Sequence, residues 1–288
     1  MVTFLNVVIA GLLLGGLYAL IAMGLSLQYG VARVLNISHG EFIMLGGLIT
    51  WTLYTAFGIN PLVSLAICGP LTFILGFILH RILFKRLLTM SASPGIFESN
   101  SMLASFSLLF IIQNIASIAW GPEIRGYSYL RVPVNLAGAV FGANRLVTLG
   151  FAIVIGLAFY LFVARTRMGK AIRAAAQDPA TAALMGVNIN LVLALCFGFG
   201  AAMAGIAGTL ISMCYPVHVV MGLEYTIIAM IVVVLGGLGS IPGSFIGGFV
   251  LGIIGSVVTN KDPSLSLVAY YLIFILLLLV RPTGIMGR

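Results

Sequence analysis

Charge is scarce in this chain. Only 7% of its 288 residues are Asp, Glu, Lys or Arg, against 61% apolar, too few to cover a water-facing surface of ordinary composition. Cysteine is nearly absent: Cys68, Cys196 and Cys214 are odd in number, lie in or at the end of apolar runs and lack C-x-x-C spacing, which argues against a disulfide framework or a thiolate metal site. His39, His80 and His218 are far apart and form no H-E-x-x-H pair, so no metal ligand set is expected. The chain has neither a G-x-x-x-x-G-K-[ST] phosphate loop nor a G-x-S-x-G nucleophile turn. An intramembrane hydrolase therefore ranks last among the functions considered, and any use of ATP requires another chain. Lys and Arg are missing before Arg33. The long first apolar run is followed by others, so it is expected to stay as a membrane span and not to be cleaved as a signal peptide.

What is present is hydrocarbon. Apolar runs near or above the ~20 residues that a helix needs to cross a bilayer are spread over the whole length. They are continuous and do not alternate with period two, which favours helices over a barrel. The expected fold is an all-α polytopic membrane protein, one domain over residues 1–288 with about 8–10 transmembrane helices, broken or re-entrant near 36–41 and 237–241. Spans are read at about 5–28, 35–57, 62–84, 100–119, 146–165, 190–213, 223–238, 241–258 and 265–280. The formal charge of +8 lies in small groups between these runs, so it reports topology and not a nucleic-acid partner. Arg33, Arg81, Lys85, Arg86, Arg165, Arg167, Lys170, Arg173, Arg281 and Arg288 fall on one side, and Arg125, Arg131, Arg145 and Lys261 on the other. The larger group is cytoplasmic by the positive-inside rule, which puts the C-terminus in the cytoplasm and the 120–145 loop outside. That loop, with Pro122, Pro133 and several glycines, meets an external partner or merely connects two spans.

Two places interrupt the apolar pattern inside the membrane. Asn36, Ser38, His39, Gly40 and Glu41 form the first, and Gly237, Gly239 and Ser240 the second. Each is followed by small residues, as in a weak internal repeat, and paired interruptions of this kind point to a transport pathway. Ser38 to Glu41 has the S-x-x-E form of a capping box, in which Ser38 accepts from a first-turn amide and Glu41 reaches back to the Ser38 amide. The bland reading is that these groups only satisfy broken backbone; the functional one is that His39 or Glu41 faces a polar pathway. A helix N-terminus at His39 would suit a substrate carboxylate, and Phe42 and Met44 an aliphatic side chain, with an ionised Glu41 opposing. Gly236, Gly237 and Gly239 with Pro242 predict a sharp break before a new helix. Small residues at four-residue spacing, such as Gly11/Gly15 and Gly248/Gly252/Ser256, predict close helix packing.

The most polar stretch runs from Arg165 to Asn190. Asp178-Pro179 has the form of an N-cap followed by proline at the first helical position, and Gly186 suits a stop, giving a short helix at about 179–185. A segment so short is marginal alone and gains order by docking.

YALIAMGLSLQYGVARVLNISHGEF, MGKAIRAAAQDPATAALMGVN, FGFGAAMAGIAGTL and VLGGLGSIPGSFIGG resemble, in matching order, the permease subunits of ABC importers for branched-chain amino acids, in particular the shorter, H-type permease. The resemblance implies a multi-pass protein of the bacterial inner membrane that binds no cofactor itself. It implies two cytoplasmic ABC ATPase subunits carrying ATP and Mg, a second related permease or a second copy of this chain, and an external substrate-binding protein. Residues 166–188 would be the coupling segment seated in an ATPase groove, with Gly169, Lys170, Arg173, Ala174, Asp178, Pro179, Ala182 and Gly186 at its motif positions. Lys170 departs from the commoner arginine and loses its planar fork of donors. Relatives carry aliphatic amino acids, urea or small amides. The competing reading is an ion-coupled secondary transporter, for which Glu41 and Glu224 are a poor supply of acids in the spans.

Overall fold

Chain entry into the bundle is a single long helix, α1 (Val2–Ala32), whose middle from Leu17 to Leu27 is buried on all sides. The computed structural model describes residues 2–136, 139–281 and 283–286; Arg288, counted above with the basic side, lies outside them. After α1 come α2 (His39–Phe57), α3 (Pro61–Leu79), a π-helical turn (His80–Phe84), α4 (Lys85–Met90) and α5 (Pro94–Trp120). A two-stranded ribbon follows, β1 (Pro133–Leu136) against β2 (Ala139–Gly142), antiparallel with Val134 opposite Phe141. Next are α6 (Ala143–Arg165), α7 (Arg167–Gln177), α8 (Pro179–Leu184), α9 (Ile189–Ser212), α10 (Met221–Gly236), α11 (Ile241–Thr259) and α12 (Ser266–Val280).

Helices thus stand at all nine expected spans, with shifted ends. Among the described residues, seven are long and apolar enough to cross a membrane. The exceptions are α10, with 16 residues, and α2, whose His39, Glu41 and three threonines lower its hydropathy. Both are packed inside the bundle, α2 against α9, α3 and α10, and α10 against α11, α2 and α1. They need less apolar surface because protein, not lipid, surrounds them. At the periphery, α12 buries only Tyr270.

Helix starts follow local chemistry. Asn60, Ser93, Thr166, Asp178, Asn188 and Ser240 each accept a first-turn amide through the side chain, and Pro61, Pro94, Pro179 and Pro242 stand in first turns where no amide is missed. Lipid supplies no hydrophobic drive for helix association, so contact depends on close approach. The expected small-residue seams are two sides of one joint. A Cβ on Gly252 of α11 would lie 2.3 Å from the Gly15 amide nitrogen of α1, and Ser256 Oγ donates to the Val7 carbonyl at 2.7 Å. A second joint binds α2 to α9, where a Cβ on Gly208 would lie 1.9 Å from the Ile43 carbonyl oxygen.

The 121–132 segment is tied down over one end of the bundle. Arg125 exchanges backbone hydrogen bonds of 2.8 Å with Val217, stacks its guanidinium on Trp51 at 4.3 Å and donates to the Trp120 carbonyl. Tyr129 donates to Asn60 Oδ1 at 2.9 Å, and Tyr127 shares a 2.9 Å bond with Ser212. At the opposite end lie the close of α1, the α4–α5 turn, the α7–α8 elbow and the start of α9, which line one cavity. The residues after α12 also return to the bundle, the Ile285 and Met286 amides donating to Leu235 and Gly236.

Candidate functional site: a re-entrant helix start and a polar elbow

At Arg33 the chain turns through a left-handed conformation, φ 54°, that non-glycine residues rarely adopt. It then climbs back along α1. His39 Nε2–H donates to the Ile21 carbonyl at 3.1 Å, eleven residues before the end of α1 and so roughly 16 Å along it at 1.5 Å per residue. Helix α2 therefore begins at mid-depth, and its broken backbone must be satisfied by protein.

Asn36 organises this start. Its Oδ1 accepts from the Ser38 amide at 3.2 Å and the Ser38 hydroxyl at 2.7 Å, while its Nδ2 donates to Gln28 Oε1 at 3.3 Å. Gln28 Nε2 passes the chain on to the Phe197 carbonyl of α9 at 3.2 Å. Ser105 Oγ accepts from the Ile37 amide, and Thr226 Oγ1 from the Gly40 amide at 2.8 Å. The expected capping box is not formed. Ser38 makes no side-chain cap bond, and its amide is already taken by the closer, preceding Asn36, which leaves Glu41 nothing to reach back for. Both carboxyl oxygens of Glu41 are buried without a partner among the described residues, as is His39 Nδ1. The Glu41 carboxyl instead lies flat on Gly222, where a Cβ would stand 2.3 Å from Oε1. An unpaired carboxyl in such a place costs several kcal/mol by order of magnitude.

Truncating Asn36 to Ala would strand the Ser38 amide and hydroxyl and Gln28 in the core. A loss of about 3 kcal/mol is expected, at ~1–3 kcal/mol for each buried group left unsatisfied. The check is thermal unfolding of the purified protein, where an unchanged midpoint would show that other groups take over.

The second break is as sharp as the glycines imply. Gly237 and Gly239 adopt φ of 104° and 80°, Ser240 accepts from the Gly243 amide, and Pro242 stands in the first turn of α11; Gly236 stays helical. Among the described residues no hydrogen bond joins the two breaks directly, although both approach the end of α1. Gly239 packs on Gly30 and Asn36 bonds to Gln28, two residues away, while Gly40 and Glu41 meet Thr226 and Gly222, more than ten residues before Gly237. Sequence reasoning also missed Gln28, Ser105 and Thr226, which are single polar residues within apolar runs and become legible only when Asn36 and Gly40 are seen to need partners.

In the elbow, Asp178 Oδ1 accepts from the Ala180 and Thr181 amides at 2.9 and 3.2 Å, and the Thr181 hydroxyl donates to Oδ2. These hydrogen bonds, that of the Thr181 hydroxyl first, hold the Asp178 carboxyl below its ordinary value. With a depressed folded-state pKa, the cap is fully present above about pH 3.9 and is lost only as pH falls through the lower folded value. Gly186 takes φ 84° and ends the turn. Arg173 donates to the Val163 and Ala164 carbonyls and so closes the end of α6. Gly169 and Ala182 are buried, and a Cβ on Gly169 would meet the Val163 carbonyl at 2.2 Å. Lys170, Asp178 and Pro179 are exposed, and Ala174 is half-buried. Unforeseen are Leu184 and Met185, 88% and 81% exposed at the tip of α8. They lie inside the most polar segment, where an apolar pair is only a faint signal in so apolar a chain.

Taken together, buried polar bonds at mid-depth, helices of spanning length and a polar elbow at one end define a multi-pass, all-α membrane transport protein. The chain belongs to the family described as the permease component of the branched-chain amino acid transport system, whose pattern it matches over residues 7–280. It is 33% identical, over 99% of its length and 96% of the relative, to the high-affinity branched-chain amino acid transport system permease protein BraD of Pseudomonas aeruginosa. Identity to the permease protein LivH of Escherichia coli is 30% over the same shares, and to a probable LivH of Methanocaldococcus jannaschii 30% over 94% and 89%. No solved structure matches. The chain is accordingly a permease subunit of an ABC-type importer and not an enzyme.

Proposed function

We propose that this permease carries branched-chain, aliphatic amino acids inward, delivered by an external binding protein and driven by two cytoplasmic ABC ATPases that hold ATP and Mg. It lies in a bacterial inner membrane with its C-terminus cytoplasmic and pairs with a second, related permease. Residues 166–188 form its coupling segment. The observation that carries this reading is the capped helix α8, which presents Leu184 and Met185 to solvent at the end of the bundle with most of the basic residues. Gly169, Ala182 and Arg173 fix the elbow to the chain's own helices. Lys170, Ala174, Asp178, Pro179 and Gly186 shape its outer side.

Motion has a direct route inward. ATPase closure displaces α8, which leads into α9 through the Asn188 cap. α9 grips α2 at Gly208 and Gln28 at the Phe197 carbonyl. Its displacement would therefore reach Asn36, Ser38, His39, Gly40 and Glu41, opening the pathway past Glu41, while Gly237, Gly239 and Ser240 gate the inner end. Glu41→Gln and His39→Ala are expected to lower uptake about tenfold per folded protein, measured after normalising to the folded fraction because His39→Ala also removes the buried hydrogen bond to the Ile21 carbonyl. Wild-type uptake by both would remove these side chains from the pathway. The reading as a whole is tested by gentle co-purification with identification of bound subunits and trapped ligand. ATPases, a second permease and an aliphatic amino acid are the expected content, and a transport-competent complex with no ATPase would overturn it.

A further inference from the structure

An open cavity of about 630 Å³ at the elbow end is lined by the end of α1, the π-helical turn, the α4–α5 turn, the α7–α8 elbow and the start of α9. That size is in the range of small-molecule sites. Its charged lining is one cation, Arg33, and one carboxylate, Glu98. Both residues are solvent-exposed and neither side chain makes an ion pair or hydrogen bond with any described residue, so both charges are open to an occupant at the cavity mouth. Arg33 is held there by its left-handed backbone, a strained conformation of the kind that clusters at ligand sites. A third polar group is His80, 2% exposed, which lines the cavity from the π-helical turn and whose Nδ1 has no partner. π-turns inside α-helices recur at functional sites. The remaining walls include Val31, Leu88, Ile189 and Leu193, all aliphatic, and the elbow contributes Ala175 and Pro179.

A cation, an anion and an aliphatic wall around one cavity are the complement of a zwitterionic α-amino acid with an apolar side chain. The geometry points to a second amino-acid site at the inner face: carboxylate on Arg33, ammonium on Glu98 with His80 as a further acceptor, side chain on Leu88, Ile189 and Leu193. Because Ala175 and Pro179 form part of the same wall, an occupant fills the space into which the α7–α8 elbow would move, and internal amino acid slows the transport cycle. This inference rests on the transport reading for the choice of amino acid and for the inward sense of the cavity.

The test uses the intact complex with its ATPases in lipid nanodiscs, without the binding protein, and measures retention of radiolabelled leucine. Saturable retention is expected, weakened about tenfold or more by Arg33→Gln and by Glu98→Gln, each removing one charged contact, and by Leu88→Trp, which fills the cavity. ATP hydrolysis stimulated by leucine-loaded binding protein is then followed as free leucine is raised well past saturation of that protein. The wild type is expected to slow several-fold, and Arg33→Gln and Glu98→Gln, each compared with its own rate at low leucine, to slow far less. Absent retention, retention unchanged in all three variants, or loss of bound phospholipid but not of leucine in Arg33→Gln would overturn the inference. Failure of leucine-loaded binding protein to stimulate hydrolysis counts against the transport reading instead, and leucine retention still decides the site.

Discussion

Replacing Leu184 and Met185 together by Asp is expected to lower ATP-driven uptake about a hundredfold, equivalent to ~2.8 kcal/mol of lost docking free energy. Each side chain removed from water on docking contributes ~1.5–3 kcal/mol, and a few apolar anchors carry most of an interface. If α8 docks as proposed, the double variant also forces two carboxylates into a groove that would otherwise receive hydrocarbon. With 88% and 81% exposure, both residues are almost free of the permease's own packing, so expression, monodispersity and thermal stability should be unchanged. Uptake in vesicles and ATPase capture on the tagged permease provide the readouts. Normal capture with normal uptake would mean that the tip of α8 is not what the ATPase grips.

Gly40→Val is expected to prevent folding of the bundle core. A Cβ at this position would lie 1.8 Å from the Gly222 carbonyl oxygen and 2.4 Å from Thr226 Oγ1. Overpacking by one or two methyl groups typically costs ~1–3 kcal/mol where side chains can yield. Here the obstacle is the backbone of α10, and displacing it also breaks the bond from the Gly40 amide to Thr226 and exposes the buried Glu41 carboxyl to a new mismatch. The measurement is fluorescence-detected size exclusion of a tagged variant after graded heating. Complete loss of the monodisperse peak is expected for Gly40→Val, whereas Thr226→Val, which removes the hydroxyl that accepts from the Gly40 amide and donates to the Ile37 and Gly222 carbonyls, should shift the midpoint by several degrees. A Gly40→Val protein as stable as wild type would contradict the close approach of α2 and α10.

Nine helical segments and the two breaks were legible because long apolar runs and Gly-Pro punctuation are local signals. The seams at Gly11/Gly15 and Gly248/Gly252 were legible as seams, but not as partners, since spacing says that a helix packs closely and not against which neighbour. The capping box failed for a local reason. Asn36 stands two residues before Ser38 and offers a closer acceptor than Glu41, so S-x-x-E without regard to the preceding residue misassigned both side chains. Arg173 and Ala182 show a different limit. Each occupies a motif position, yet one closes α6 and the other is buried, and a motif cannot separate residues that hold the elbow from residues that present it. Leu184 and Met185 were passed over because an apolar pair in an apolar chain carries little contrast. Their exposure depends on which side of α8 is turned away from the bundle, which is tertiary information.

The central claim is that this permease is powered by ATP through the α7–α8 elbow and not by an ion gradient. The most direct measurement is leucine uptake into inside-out-controlled membrane vesicles containing the full complex, with ATP supplied or withheld on the ATPase side and ionophores present or absent. Uptake is expected to require ATP, to survive collapse of proton and sodium gradients, and to be lost in the Leu184→Asp/Met185→Asp variant. Uptake that continues without the ATPase subunits and stops when the gradients are collapsed would contradict this claim.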